Sequence, residues 1–152
     1  MGTVFRYSEI TKFEELVYFT SVASIGQTAF RGSTVTYIWI PYAKTIGIGG
    51  GANVSVFWDC THMIAERFDA ATTINPLHYN TSIQYTVITT SSVPTLTTQF
   101  VSGKFYVLDS LVSSYQSADR WSSKTILPIS QLPSDYPDCP WLDDLRAKGF
   151  IS

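Results

Sequence analysis

Between Thr81 and Thr90 apolar and polar side chains alternate. Ile83, Tyr85 and Val87 share one face, with Gln84 and Thr86 on the other. A period of two written in β-branched and aromatic residues predicts a half-buried β-strand. Pro94 interrupts the run, after which Leu96, Thr98 and Phe100 resume it. Gly103 marks a turn or bulge before a further strand over Lys104–Leu108. Upstream, Ser33–Ile40 reads as a strand that stops at Pro41, and Ala52–Trp58 as another. The glycines of Gly47–Gly51 between them predict a turn. Leu16–Val22 has strand composition, and the Thr11-x-x-Glu14 spacing of a capping box permits a helical turn ahead of it. His62–Phe68 fits strand and helix equally.

The distribution of charge sharpens this picture. No Asp, Glu, Lys or Arg occurs from Ala70 to Gly103, whereas surface helices carry charge on their solvent face. This third of the chain is therefore expected to be strands whose exposed positions are hydroxyls and Gln. The last forty residues differ. Ser110–Ser123 reads as a loop around Trp121, Thr125–Ile129 as a short edge strand, and Pro133–Pro140 as an ordered irregular excursion. A terminal helix follows, capped by Asp138, with Pro140 in its first turn, Gly149 past its end and Trp141, Leu142 and Leu145 as its buried stripe. No internal repeat stands out. Many short strands with turn signals predict an all-β fold, an antiparallel β-sandwich or jelly-roll-like domain with a short C-terminal helix, over residues 1–152.

Composition narrows the function classes. The chain has 152 residues, 45% hydrophobic and 14% charged, with 18 Ser, 18 Thr and a net charge of −2. Such a balance excludes an electrostatic grip on nucleic acid, which needs a basic face. The aromatic content of 14% excludes intrinsic disorder. No run of 18 or more apolar residues is present, so no membrane insertion is expected. The N-terminal residues have no apolar stretch with a small-residue cleavage site, and Arg6 stands where a myristoylation site needs Ser or Thr. Met1-Gly2 is compatible with a start codon joined to an excised domain. Cys60 and Cys139 are expected to be free buried thiols rather than a disulfide. The sequons Asn53-Val54-Ser55 and Asn80-Thr81-Ser82 matter only in a secretory compartment.

Few motifs carry chemistry. Gly47-Ile-Gly-Gly-Gly-Ala52 matches a dinucleotide fingerprint in letters, but strand formers follow where the phosphate-binding helix should start. Asp59-Cys60-Thr61-His62 is the densest titratable cluster. Cys60 and His62, joined by His78 and Cys139, lack the paired spacings of structural zinc. Cys60 or a Ser could use His62 as a base oriented by Asp59 or Asp69, but no nucleophile elbow is present. Glu14-Glu15 and Asp143-Asp144 do not suggest a glycosidase pair, and Asp135 with Asp138 makes a weak calcium motif. The expectation is a protein with no catalytic residue, no metal and no cofactor.

Scarce charge, abundant hydroxyls and aromatic-rich short strands give Thr81–Thr90, Ser91–Thr98 and Leu127–Pro133 their character. In this the chain resembles viral capsid proteins, in particular the protruding or spike domains of small icosahedral viruses. The resemblance implies an outward-facing domain on the virion surface, otherwise extracellular, that makes capsid subunit contacts and attaches to a host glycan or protein receptor. A chain this poor in charge must also present neutral polar and aromatic groups to water or a partner, as interface cores do. Tyr115, Trp121 and Tyr136, in the Ser110–Trp121 and Pro133–Pro140 loops, are the candidate anchors, with core burial the alternative for each. A carbohydrate-binding, lectin-like domain has the same composition. A small β-rich hydrolase around His62 is the third reading.

Overall fold

A computed structural model describes residues 9, 12–13, 20–48, 55–97 and 101–152. The strands are β1 (Lys12–Phe13), β2 (Ser24–Gly26), β3 (Tyr37–Ile40), β4 (Thr45–Ile48), β5 (Phe57–Trp58) and β6 (Ala65–Phe68), then β7 (Thr73–Ile74), β8 (His78–Tyr79), β9 (Tyr85–Ile88), β10 (Thr95–Leu96), β11 (Lys104–Val107) and β12 (Thr125–Pro128). They form three sheets, ordered β1-β3-β6-β9-β11-β12, β10-β7-β4-β2 and β5-β8. Every strand pair in them is parallel.

The antiparallel sandwich expected from the alternation is thus wrong. Period-two patterning reports which face a side chain takes, not which way the neighbouring strand runs. Antiparallel strands are typically joined by hairpins built on Asn-Gly or Asp-Gly doublets, and the chain contains neither. Parallel neighbours instead need crossovers of a dozen residues or more. Here the chain supplies them by visiting the sheets in rotation, so that it winds as a three-faced coil. The rungs are unequal. Tyr37 pairs with Ala65, Ala65 with Tyr85, Tyr85 with Lys104 and Lys104 with Thr125, advances of 28, 20, 19 and 21 residues. That irregularity hid the structural repeat from a search for fixed spacing.

Within the coil, Ile25, Ile38, Ile46, Phe57, Phe68 and Ile74 belong to one continuous core. Strands β6 and β9 are buried at all four positions. The half-buried reading of Thr81–Thr90 therefore also fails. Thr86 points into the coil, while Tyr85 and Val87 lie in a second core on the outer face of the six-stranded sheet. Two-sided burial is the normal state of a parallel sheet.

What covers that outer face is the C-terminal segment: α2 (Leu132–Asp135), α3 (Leu142–Ala147) and their flanks. Tyr136 stacks on Tyr85 at 4.0 Å between ring centroids, and Trp141 meets Tyr37 edge-on at 6.2 Å. Asp138 does not cap α3, whose N-cap is Trp141. Trp141, Leu142 and Leu145 are its buried stripe, as expected. Gly149 ends it at φ 72, with Phe150 N–H donating to the Leu145 carbonyl and Gly149 N–H to that of Arg146, a Schellman motif.

An ionic cluster ties α3 to the sheet. The fully buried Arg67 side chain lies 2.7 Å from Asp69 and 2.7 Å from Asp144, and its guanidinium sits 4.4 Å from the Trp39 ring centroid. Lys148 reaches Asp144 at 3.0 Å. Burial alone would raise the pKa of Asp144. Bonds from Lys148 and Arg67 outweigh it and hold the carboxyl below the ordinary carboxylate range.

Ser110–Ser123 is not a loop. It forms a 3-10 turn (Asp109–Leu111), α1 (Val112–Ser117) and a second 3-10 turn (Trp121–Ser123) that close the last rung. Trp121 meets Phe105 and Tyr115 edge-on at 5.2 and 5.0 Å, and its indole N–H donates to the Pro94 carbonyl at 2.7 Å. Thr125–Pro128 is an edge strand, as expected. Residues 16–19 of the expected Leu16–Val22 strand, and both Thr11 and Glu14 of the capping box, lie outside the described residues.

Two outcomes follow. Trp121→Ala should destabilise the domain by about 3–5 kcal/mol in urea unfolding, as large-to-small aromatic changes in a core do. Because the folded-state pKa of Asp144 is depressed, its contribution is complete above the unfolded value of about 4 and is lost as pH falls through the folded value. Unfolding followed from pH 6 to pH 2 should therefore show a shallower acid decline in Asp144→Asn than in the parent.

Candidate functional site

The third face of the coil places side chains in register across three rungs. Phe30 N–H donates to the Val56 carbonyl and Gly32 N–H to that of Trp58, continuing the ladder in which Phe57 pairs with His78 and Trp58 with Tyr79. Three columns result. The inner one is Phe30, Phe57 and His78, stacked at 5.5 and 6.1 Å with interplanar angles of 21° and 28°. Beside it on the outside, Arg31, Trp58 and Tyr79 form the second. The Arg31 guanidinium is 4.4 Å from the Trp58 ring centroid, and the Trp58 and Tyr79 centroids are 4.9 Å apart. The third column turns the chain: Gly32, Asp59 and Asn80 have φ of 64°, 58° and 53°. Left-handed backbone favours Gly, Asn and Asp. Asn80 Nδ2 donates to Asp59 Oδ1 at 2.9 Å, tying two rungs together.

This face is open. Tyr79 is 52% exposed, and Trp58 and Arg31 are half-buried. It offers an aromatic surface, a guanidinium, a carboxylate and an amide across three successive rungs. No reading of the sequence singled out Trp58, Tyr79 or Arg31. A signal was present nonetheless: Phe30-Arg31-Gly32, Phe57-Trp58-Asp59 and His78-Tyr79-Asn80 repeat a ring, an outward side chain and a left-handed residue.

The three expected anchors lie elsewhere. Tyr115 and Trp121 are 0% and 1% exposed, packed inside the last rung, which leaves their rings no surface for a partner. Burial pushes the Tyr115 phenol up to about 12. Tyr136 is half-buried, held between Tyr85 and Lys104, whose Nζ is 5.7 Å from its ring. Tyr115 and Trp121 serve as packing residues because the Ser-rich segment that carries them folds onto the coil, whereas Tyr136 packs on Tyr85 and stays partly exposed.

The titratable residues are also dispersed. Cys60 lies in the coil's core, where its thiol donates to the Phe30 carbonyl at 2.8 Å, whereas His62 is exposed with Thr61 beside it at 3.5 Å. Asp59 is engaged with Asn80, and Asp69 with Arg67, Trp39 and Thr89. Among the described residues His62 has Thr61 as its hydrogen-bond neighbour and no Cys, Ser or Asp of the expected hydrolase constellation. His78 sits inside the coil: its Nδ1 accepts the Ser102 N–H at 2.9 Å, so Nε2 carries the proton and faces Glu66 at 3.2 Å. Thr86 donates to the same Glu66 oxygen at 2.8 Å. His78 and Glu66 side chains are 1% and 0% exposed.

Among the described residues no three of His, Cys, Asp and Glu converge on a point. Asp135 accepts from the Tyr106 hydroxyl and from Gln131 Nε2, and Asp138 is exposed. Gly47 lies in β4 at φ 86, and residues 49–54 of the glycine fingerprint lie outside the described set. No described helix is long and apolar enough to cross a membrane. Comparison with protein-family models, curated proteins and solved structures returned no match.

Cys139, between α2 and α3, is buried in the second core, and both thiols are free. Burial raises the pKa of each, and the thiolate is the reactive form. Both cysteines should therefore resist a thiol reagent at pH 7 and react fully in urea. Rapid labelling of the native protein would show that a segment opens.

Proposed function

We propose that the protein is a recognition domain whose Arg31–Trp58–Tyr79 face binds a glycan. The observation that carries this reading is the exposed, in-register aromatic column flanked by the Asp59–Asn80 pair. A pyranose presents an apolar C–H face and a rim of hydroxyls. An aromatic ring next to neutral and charged hydrogen-bonding groups complements both. The ladder adds rigidity, because backbone hydrogen bonds fix the spacing of the column and little side-chain ordering remains for binding to impose. The scarcity of charge and the wealth of hydroxyls support the same reading, since a neutral surface competes weakly for ions. Attachment to host glycans from a virion surface is the setting that the resemblance to capsid spike domains suggests.

The aromatic column is the test. Tyr79→Ala should lower binding to a glycan that the parent retains on an array by about tenfold or more, the range of a contact that dominates an interface. Its stability should stay within about 0.5 kcal/mol of the parent, as for other exposed positions. A parent that binds nothing on the array, or a Tyr79→Ala protein that binds unchanged, overturns the reading.

A further inference from the structure

We infer that the ligand of this face is an acidic oligosaccharide of two or more sugars, lying across the rungs with a carboxylate on Arg31. The inference rests on the glycan reading above and goes beyond it in naming the charge and direction of the ligand. Four arginines lie among the described residues, and three face carboxylates: Arg67 with Asp69 and Asp144, Arg120 with Asp119, and Arg146 with Asp143. Arg31 makes no ion pair with a described residue, and its buried Nε has no hydrogen-bond partner among them. The guanidinium lies 4.4 Å from the Trp58 ring centroid, a cation–π contact that places a donor suited to a carboxylate on this face before any ligand arrives. Asp59, the nearest acid along the face, is turned to Asn80.

Arg31 and Tyr79 stand two rungs apart, about 10 Å at the spacing of adjacent strands. One sugar ring on Tyr79 therefore leaves Arg31 to the acid group of a neighbouring residue. The ligand runs along the coil axis, perpendicular to the strands.

The experiment measures binding of sialyllactose, a hyaluronan tetrasaccharide and an oligogalacturonate, each beside its carboxyl-reduced form, to the parent, Arg31→Gln and Tyr79→Ala. The expected result is that an acidic form binds the parent roughly tenfold or more tightly than its reduced counterpart. Arg31→Gln should erase that difference by weakening the acidic form about tenfold more than the reduced form, and Tyr79→Ala should lose both. Added salt should weaken only the acidic form. Equal binding of acidic and reduced forms, with Arg31→Gln unchanged, overturns this inference and leaves the glycan reading intact. If a wider neutral and acidic array also shows nothing bound, both fail. Thermal unfolding of Arg31→Gln within a few degrees of the parent separates lost recognition from lost folding.

Discussion

Parallel, in-register hydrogen bonding between successive turns of the coil is the constraint on which everything else depends. It converts each position of a rung into a column, so that like stacks upon like. Ile25, Ile46, Ile74 and Leu96 line the inside of one sheet, and Ser24, Thr45, Thr73 and Thr95 line its outside. Phe30, Phe57 and His78 stack inside another face, each such ring pair contributing about 0.5–1.5 kcal/mol beyond its burial. Left-handed residues stack as well, since a turn that leaves one rung at a given height must be matched by its neighbour.

The column rule also explains a polar exception. Glu66 occupies an inward position between Ile38 and Thr86. A lone carboxylate there would carry a large desolvation cost. The adjacent Thr86 hydroxyl and the Nε2–H side of His78 face it, and the next rung orients that imidazole through the Ser102 N–H. The cluster links the six-stranded sheet to the His78 strand of the two-stranded sheet through polar contacts inside the coil.

Each outer face meets water differently. The six-stranded sheet presents Tyr37, Trp39, Tyr85 and Tyr106, too much aromatic surface to leave exposed, and the C-terminal segment covers it. Arg67 and Asp69 complement Asp144 and Lys148 across that boundary. The four-stranded sheet ends in hydroxyls and needs no cover. Among the described residues the most exposed large ring, Tyr79, stands on the third face, beside Trp58 and the Asp59–Asn80 pair.

Strand content, the edge strand at Thr125, the terminal helix stripe and the free thiols were legible in the residues themselves, because local alternation, proline and helical spacing act over a few positions. Strand direction was not. Alternation is identical for parallel and antiparallel neighbours, and rung lengths of 28, 20, 19 and 21 residues blur the repeat that would have revealed the coil. Nor could the residues alone separate Tyr115 and Trp121 from Tyr79, since all are aromatics among polar neighbours. Tertiary packing decided between them. A ring followed by segments that fold back is buried, and a ring pointing outward from an uncovered rung is not. Gly32, Asp59 and Asn80 could have pointed to the open face, but their spacing becomes meaningful only once the rungs are stacked.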